Sequence, residues 1–387
     1  MKSTILMKQA LLQNDHITCI VKVTNACNLN CPYCYNKINS ENHEILPIST
    51  LEKVLENIVN NYKHGEIIFH GGEPFLAGYD WYVKAFDLIN QYIFKYNIRL
   101  KIGIQTNGTL LNDEIIKLFK INGANIGLSF DGLTNELTRK NTKKLLSNMN
   151  LLKSYDMNVG SIMVITKDNC DNIIENYEYF NALDIDPTFN VIHNTSMMEN
   201  NLFEDLKTEK LIDGMCKFFN YYAVNTSNKY NMSFIDKMVA NVVNSENYLR
   251  NNKQCDIWIC NYRWICISPN GDLYPCGKHW NKNYNIGNIN NMSFKEAFGS
   301  ENYKNYTNNI LEKMNYCENN CRYFKYCMSG CPNDTLSNTG SEKMIDNSYC
   351  QLFDKLYTHI YNYIIINKYP IKRQNLLKII SEGSCCR

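Results

Sequence analysis

CNLNCPYC, residues 27–34, places three cysteines within eight residues of sequence. A closed tetrahedral metal site takes four protein ligands and a disulfide takes two, so three thiolates leave one coordination position unfilled. Three thiolates can hold three irons of a 4Fe-4S cluster and leave the fourth iron free to bind a ligand. The alternative is a zinc knuckle completed by another side chain, such as His16 or His70. The stretch therefore predicts a metal centre, most simply an iron–sulfur cluster with a reactive open position.

Length and composition limit the possible classes of protein. The 387 residues suffice for a large α/β domain and a smaller companion. A formal charge of +2 without basic blocks gives no electrostatic reason to expect nucleic acid as a partner. No signal-peptide or membrane-spanning apolar run is present, so we expect a cytoplasmic protein that does not bind a membrane. In that reducing compartment, 17 cysteines indicate metal binding rather than disulfides.

Strand-like and helix-like segments alternate along the first half of the chain. Runs rich in β-branched and aromatic residues predict six strands. They are HITCIVKVT (16–24), EIIFH (66–70), RLKIGIQT (99–106), NIGLSF (125–130), NVGSIMVIT (158–166) and PTFNVIH (187–193). Strands that alternate with helices form a parallel sheet, either open or curled into a barrel.

Two helix starts carry sequence signals. Ser49 and Glu52 have the spacing of a capping box, in which each side chain bonds the backbone of the first turn. Asn112 or Asp113 is expected to cap a later helix.

Polar and glycine-containing motifs follow the predicted strands. His70-Gly71-Gly72-Glu73-Pro74 follows the second strand, Thr106-Asn107-Gly108 the third and Ser129-Phe130-Asp131-Gly132 the fourth. Each motif alone could be a simple turn. Parallel α/β proteins build their sites at the carboxyl ends of strands, so together these motifs predict one site beside Cys27.

At these residues the sequence resembles the radical S-adenosylmethionine (SAM) enzymes. Their signature, C-x3-C-x-aromatic-C, appears here as Cys27, Cys31, Tyr33 and Cys34. The resemblance implies a partial (β/α)6 barrel and a 4Fe-4S cluster whose open iron binds SAM. It also implies that reduction by the cluster cleaves SAM to a 5′-deoxyadenosyl radical.

The same resemblance implies which residues contact SAM. Gly71, Gly72, Glu73 and Pro74 match the GGEP segment that contacts the methionyl amino group. Thr106, Asn107 and Ser129 match positions that reach the ribose or carboxylate, and Tyr33 lies where a side chain flanks the adenine. Arg139 matches a position near the SAM carboxylate, with an ordinary surface arginine as the alternative.

A second group of cysteines lies between residues 255 and 350. ICISPNGDLYPC (265–276) reads as a β-hairpin that places Cys276 just past its second strand. The region resembles the SPASM extension of some radical SAM enzymes, since ten residues separate Cys260 from Gly271 and four separate Gly271 from Cys276. The later cysteines depart from the SPASM pattern at one point, because three residues rather than two separate Cys317 from Cys321. We expect this to widen one loop without removing a ligand.

The SPASM resemblance implies two auxiliary 4Fe-4S clusters, three in all. One is held by Cys317, Cys321, Cys327 and Cys350. The other is held by Cys260, Cys276 and Cys331 with a fourth ligand, for which Cys255 is favoured over Cys266. Two structural zinc sites are the alternative that spacing alone permits.

These motifs predict four segments along the chain. They are a barrel over 1–200, a helical linker over 201–254, a cysteine-rich domain with a β-hairpin and helices over 255–350, and a C-terminal helix and tail over 351–387.

SPASM members mostly modify peptides and proteins, so the resemblance implies a peptide maturase. The favoured activity is a thioether or carbon–carbon cross-link in a ribosomally made peptide, with the auxiliary clusters taking the electron. The alternative is an anaerobic sulfatase maturase that makes formylglycine, but those enzymes carry a catalytic aspartate where this chain has Gly277. Asp272 and His279 are weak candidates for a catalytic base.

Two further expectations concern partners and class. The expected partners are a peptide or protein substrate and an electron donor such as flavodoxin or ferredoxin, and the expected state is a monomer. A non-catalytic iron–sulfur or zinc scaffold is the alternative from another class, and SAM cleavage would distinguish it.

Overall fold

The computed structural model describes residues 15–36, 43–192, 208–245, 260, 262–278 and 282–384. Cys255 and His279, which the sequence analysis proposed as a ligand and a base, lie outside these residues. Among the described helices, none has the length and apolar character needed to cross a membrane.

The described residues fall into two compact units. The first comprises those within Met1–Ser129, Asn135–Val159 and Trp258–Asn315, and the second those within Phe130–Thr134, Gly160–Ile257 and Tyr316–Arg387. The domain bounds expected from the sequence stay a prediction.

All six predicted strands are present. The strands are β1 His16–Thr24, β2 His64–Gly71, β3 Arg99–Thr106, β4 Asn125–Ser129, β5 Gly160–Ile165, β6 Asp186–Val191, β7 Trp264–Ile267, β8 Asp272–Tyr274 and β9 Gly287–Asn288. In the first unit their order is β4-β3-β2-β1-β7-β8-β9. Strands β1 to β4 pair in parallel, and β7 is parallel to β1. The first unit therefore has the expected parallel α/β sheet.

Helices separate the strands along the chain and follow the last of them. They are α1 Ile48–Asn61, α2 Tyr79–Tyr96, α3 Asp113–Ile121, α4 Asn135–Thr138, α5 Thr142–Ser154, α6 Ile173–Ala182, α7 Thr208–Val224, α8 Ser233–Val243, α9 Phe294–Phe298, α10 Glu301–Asn320, α11 Phe324–Cys327, α12 Pro332–Thr339, α13 Asn347–Tyr361 and α14 Gln374–Ser384. Helix α2 packs against α1 and α3, with Tyr82 and Phe119 buried between them. This apolar layer buries the outer face of the first unit's strands.

Strand β1 is buried on both of its faces. Ile17, Cys19, Val21 and Val23 are fully buried on one face, and Lys22 is 1% exposed on the other. Because β2 and β7 flank β1, its backbone hydrogen bonds are satisfied on both edges. A strand buried on both faces normally reads as a continuous apolar run, so Lys22 is an exception.

One helix start was predicted correctly and one was not. Asn112 caps α3, since its Oδ1 accepts a 3.0 Å hydrogen bond from the Ile115 N–H. The capping box at Ser49 and Glu52 is wrong. Helix α1 begins one residue earlier, at Ile48, with Pro47 as N-cap and no side-chain cap, so Ser49 already lies inside the first turn.

The predicted hairpin is confirmed. Strands β7 and β8 pair antiparallel, with Cys266 opposite Tyr274. Gly271 closes the turn with a 2.8 Å bond from its N–H to the Ser268 carbonyl, at a φ of 87° that favours glycine. The turn brings the chain back to Cys276 at the end of β8.

The second unit combines two parallel strands with a helical layer. Strand β5 pairs with β6 from Gly160 opposite Asp186 to Ile165 opposite Val191. Helix α8 packs against α13 and α14, and α7 packs against α6 and α13. Between α8 and α13, the Asn241 amide donates a 3.0 Å bond to the Tyr357 hydroxyl.

Candidate active site

The three cysteines of the opening stretch line one pocket in the first unit. Its lining consists of Cys27, Leu29, Asn30, Cys31, Cys34, Asn36 and Gly72. A tight turn, with a 3.2 Å bond from the Cys34 N–H to the Cys31 carbonyl, brings the last two cysteines together. Three thiols around a single pocket fit a cluster that takes one thiolate on each of three irons.

Hydrogen bonds to sulfur already surround Cys27. Its Sγ accepts from the Leu29 N–H at 3.4 Å and from the Asn107 amide at 4.0 Å. Burial raises the pKa of the Cys27 thiol and the nearby Glu73 raises it further, whereas these two hydrogen bonds lower it. Donors aimed at sulfur stabilise a thiolate, which is the form that binds iron.

Gly71 and Gly72 allow the loop after β2 to lie against the cysteine loop. The Gly72 N–H bonds the Thr24 carbonyl at 2.9 Å, and the Glu73 N–H bonds the Ala26 carbonyl at 2.8 Å. A Cβ on Gly72 would overlap the Ala26 carbonyl oxygen, and one on Gly71 would overlap that of Thr24. Only glycine permits this approach of two backbones next to Cys27.

Glu73 is a fully buried carboxylate that joins two loops. Its Oε1 accepts from the Thr106 hydroxyl at 2.7 Å and the Phe75 N–H at 3.1 Å, and its Oε2 accepts from the Asn107 N–H at 2.9 Å. Burial raises the pKa of Glu73 to about 7, although the three hydrogen bonds oppose the shift. Oε2 accepts only one of these bonds, so it retains capacity for a further donor.

The other residues expected to contact SAM also lie in the first unit. The Arg139 guanidinium stands 5.3 Å from the ring centroid of Tyr33, so the two predicted residues come together. The Gln105 amide donates a 2.9 Å bond to the Ser129 hydroxyl. Pro74 begins the short 3-10 turn Pro74–Ala77 after Glu73. The roles of these residues toward SAM stay predictions.

Several polar residues of the site were missed by sequence reasoning. Asn28 accepts a 2.9 Å bond from the Asn107 amide and donates one of 2.9 Å to Thr109, which ties the cysteine loop to the loop after β3. The position of Asn28 between two cysteines in CNLNC was the sequence signal that could have identified it as a site residue. Lys22 donates a 3.3 Å bond to Asn36, which lines the cysteine pocket.

His70, which the sequence analysis considered only as a zinc ligand, lies beside the glycine loop. Its Nδ1 accepts a 2.7 Å bond from the Gly71 N–H, and its ring lies 6.4 Å from the Tyr35 ring. Burial, with the Lys22 ammonium nearby, lowers the pKa of His70 to about 4. The neutral ring therefore carries its proton on Nε2 and acts there as a hydrogen-bond donor.

Three cysteines of the second group lie in the first unit. Cys260 and Cys276 are half-buried. Cys266 is fully buried in β7 and lies opposite Ile20 of β1. The choice between Cys255 and Cys266 as a ligand stays open.

Neither residue 277 nor Asp272 supplies a catalytic base beside Cys276. Gly277 packs against Ile20, whose Cδ1 would lie 2.8 Å from a Cβ at residue 277. Asp272 accepts 2.9 Å hydrogen bonds from the amides of Asn270 and Asn288, an arrangement typical of a turn aspartate.

The other described cysteines of the second group lie in the second unit, within helices or next to their ends. Cys317 is buried, Cys327 and Cys331 are half-buried, and Cys321 and Cys350 are exposed. We expected the extra residue between Cys317 and Cys321 to widen a loop, and this expectation is wrong. The Cys321 N–H bonds the Cys317 carbonyl at 2.9 Å, so the insertion places the two cysteines one helical turn apart.

Comparison with protein families decides the class of this chain. Residues 21–180 match the Radical SAM superfamily, and residues 255–322 match SPASM, an iron–sulfur cluster-binding domain. The chain carries a Radical SAM domain and a SPASM domain. These domains imply 4Fe-4S clusters, and the pocket of Cys27, Cys31 and Cys34 fits one of them.

This radical SAM protein has full-length relatives. It is 26% identical over 372 residues to the cysteine-type anaerobic sulfatase-maturating enzyme of Clostridium novyi, covering 87% of this chain and 93% of that one. The structure of native anSMEcpe with bound AdoMet and the Cp18Cys peptide superimposes with a TM-score of 0.77 at 23% identity, covering 91% of this chain and 98% of that one.

A more distant structure also matches the radical SAM protein. Streptococcus suis SuiB bound to its precursor peptide SuiA gives a TM-score of 0.61 at 17% identity, covering 90% of this chain and 79% of that one. These likenesses show that the chain has the same α/β fold.

Proposed function

We propose that this radical SAM protein is a peptide maturase that forms a thioether or carbon–carbon cross-link in a ribosomally made peptide. The observation that carries this choice is Gly277, which follows Cys276 and packs against Ile20. Formylglycine formation by the resembling sulfatase maturases uses an aspartate at this position. A cross-linking reaction needs no carboxylate there.

The proposed cofactor sites consist of the residues that were predicted from the sequence. Cys27, Cys31 and Cys34 hold the SAM-binding cluster, and SAM, when bound and reduced, supplies a carbon radical able to remove hydrogen from an unactivated C–H bond. Glu73 accepts the methionyl ammonium, with Thr106 and Asn107 fixing its carboxylate. Because these donors are part of the folded loops, the carboxylate is positioned before SAM arrives.

Other side chains of the first unit complete this arrangement. Arg139 and Tyr33, 5.3 Å apart, flank the SAM carboxylate and adenine in the proposal. His70 accepts the Gly71 N–H at Nδ1 and so supports the glycine loop of the site. Its low pKa keeps the ring uncharged at neutral pH.

The auxiliary cysteines complete the proposed enzyme. Cys317, Cys321, Cys327 and Cys350 form one ligand set, and Cys255, Cys260, Cys276 and Cys331 form the other. Clusters bound by these cysteines would supply an acceptor for the electron released when the substrate radical is oxidised. A flavodoxin or ferredoxin supplies the first electron, and we propose a monomeric cytoplasmic enzyme.

Formylglycine formation is the second candidate. It is favoured by the Clostridium novyi relative, which aligns with this chain over 93% of its own length. The two activities share every residue of the cysteine pocket, so the difference between them rests on the substrate and on residue 277.

Anaerobic incubation with SAM, dithionite and candidate peptides tests the proposal. We expect SAM to be converted to 5′-deoxyadenosine and methionine, and a cognate peptide to lose two hydrogens and gain an internal linkage visible by tandem mass spectrometry. Conversion of Cys or Ser in a sulfatase peptide to an aldehyde would establish the second candidate instead. Absence of SAM cleavage in cluster-loaded protein would favour the scaffold alternative.

A further inference from the structure

Lys22 is a charged residue in the interior of the central strand of the first unit. Its neighbours in sequence are Val21 and Val23, and it is 1% exposed. In the sheet it lies opposite His70 of β2. Cys266 of β7 lies opposite Ile20, two residues earlier on the same face of β1. An ammonium in such a position is costly unless negative charge or hydrogen-bond acceptors surround it.

The contacts of Lys22 lead directly to the cysteine pocket. Its ammonium donates a 3.3 Å hydrogen bond to Asn36 and lies 5.6 Å from the ring centroid of Tyr35. Asn36 is itself fixed by a 3.4 Å bond from its amide to the Asn25 carbonyl. Since Asn36 lines the pocket together with Cys34, a single side chain separates the Lys22 ammonium from that cavity.

Three cysteine side chains lie near enough to Lys22 to affect its charge. Burial lowers the pKa of the Lys22 ammonium, while Cys266, Cys276 and Cys34 raise it, in that order. Gly277, next to Cys276, packs on Ile20 of the same face of β1. Iron deprotonates the thiols that it binds, so cluster assembly at Cys34 and Cys276 brings permanent negative charge towards the ammonium.

We propose that Lys22 is a buried cation that stabilises the reduced, more negative state of the cluster held by Cys27, Cys31 and Cys34. It acts as a positioning and tuning charge and does not contact substrate. This inference rests on the proposed function only in requiring a cluster on these three cysteines, and it does not depend on which peptide is modified.

Electrostatics gives the expected direction of the effect. The one-electron reduction, with flavodoxin or ferredoxin as the donor, adds a negative charge to the cluster and leaves Lys22 unchanged. Within a protein of low effective dielectric, a nearby positive charge favours that added electron. The potential of an iron–sulfur cluster follows its net charge and surroundings, so loss of the ammonium makes the cluster harder to reduce.

Redox titration of the holoenzyme monitored by electron paramagnetic resonance tests the proposal. The signal that changes when SAM is added identifies the cluster on Cys27, Cys31 and Cys34. In Lys22→Met, which keeps the length of the side chain and removes the charge, we expect the midpoint potential to shift to more negative values. Lys22→Arg, which keeps the charge, should remain near the wild-type potential.

A matched control removes the same charge from the surface. Lys63 is 74% exposed in its ion pair with Asp15. It immediately precedes β2, seven residues before His70, and so lies roughly 20 Å from Lys22 at about 3.3 Å per residue. Lys63→Met should therefore leave the potential unchanged.

The outcomes separate this inference from the proposed function. An unchanged potential in cluster-loaded Lys22→Met, or an equal shift in Lys63→Met, would overturn the role of Lys22 while leaving the proposed function in place. Absence of any SAM-responsive signal in wild-type protein would overturn both. If Lys22→Met fails to take up iron, Lys22→Gln, whose amide can still bond Asn36, is titrated instead. A more negative midpoint potential in that variant supports the role of Lys22, and an unchanged potential overturns it.

Discussion

The hydroxyl of Thr106 donates a 2.7 Å hydrogen bond to Oε1 of Glu73, and so joins the end of β3 to the loop after β2. The Asn107 N–H bonds the other carboxylate oxygen at 2.9 Å. The carboxylate is thus held in one orientation by groups that belong to a different strand. A site built in this way has a fixed acceptor for a cationic ligand.

Replacing Glu73 by glutamine should weaken SAM binding. The amide lacks the charge that an ammonium ligand requires, and its NH2 would face donors from Thr106 or Asn107. Hydrogen bonds to charged groups contribute about 1.5–3 kcal/mol, so we expect a roughly 10- to 100-fold higher Kd. Anaerobic equilibrium dialysis measures it. Glu66→Gln, a half-buried change in strand β2, is the control; equal affinities for wild type and Glu73→Gln would contradict the assignment.

Replacing Cys31 by alanine should abolish SAM cleavage and leave the auxiliary clusters. With three four-iron clusters proposed, about a third of the iron should be lost. Iron analysis and detection of 5′-deoxyadenosine measure the two effects separately. Persistent SAM cleavage by the variant would refute the assignment of Cys27, Cys31 and Cys34 as the reactive cluster's ligands.

Gly72→Ala should separate the loop after β2 from the cysteine loop. The new methyl would overlap the Ala26 carbonyl oxygen and lie 2.5 Å from that of Asn25, and backbone atoms cannot move aside as a side chain can. Overpacking of this kind costs about 1–3 kcal/mol. We expect a lower Tm and reduced iron uptake. Gly103→Ala, with no atom nearer than 3.8 Å, is the matched control and should behave as wild type.

The second unit offers a test of pH dependence. Burial raises the pKa of Asp236 to about 7 from an ordinary 3.8, although Tyr222 and Asn375 donate hydrogen bonds to it at 3.0 and 2.6 Å. A carboxyl whose folded pKa is raised destabilises the fold once it is ionised. Below pH 3.8 the carboxyl is protonated in both the folded and the unfolded protein, and the free energy of unfolding has its higher value. As pH rises from 3.8 to about 7, that free energy falls by up to about 4 kcal/mol.

Asp236→Asn should remove that dependence. At pH 8 the variant should unfold at a higher temperature than wild type, and the difference should shrink towards pH 5. Asp213→Asn, at a position that is 62% exposed, should show a difference that does not vary in this way. A constant gap between Asp236→Asn and wild type across this range would disprove the raised pKa.

Local sequence patterns were enough to predict the strands and the site's location. Strand β1 and strand β3 have the predicted bounds, because runs such as ITCIV and KIGI suit a pleated, buried surface. The motifs after β2 and β3 lie beside Cys27, since Gly72 lines the same pocket and the Asn107 amide contacts the Cys27 sulfur, because parallel strands end at one edge of the sheet. The place of the motif after β4 stays a prediction.

Long-range contacts were not predictable in the same way. The Lys22 ammonium meets Asn36 across 14 residues, and no local pattern encodes that pairing. A lysine between two valines in a central strand was the available signal for a buried charge. The predicted capping box is wrong because Pro47 is the N-cap of helix α1, so Ser49 lies inside the first turn and cannot cap it.

The contact between Ile20 and Gly277 has a consequence for the space beside Cys276. A Cβ at residue 277 would lie 2.8 Å from Ile20 Cδ1 and 3.2 Å from its Cγ2, so a side chain enters there only if Ile20 adopts another rotamer or is replaced by a smaller residue. A residue of the central strand, far away in sequence, therefore controls which side chain position 277 can accept.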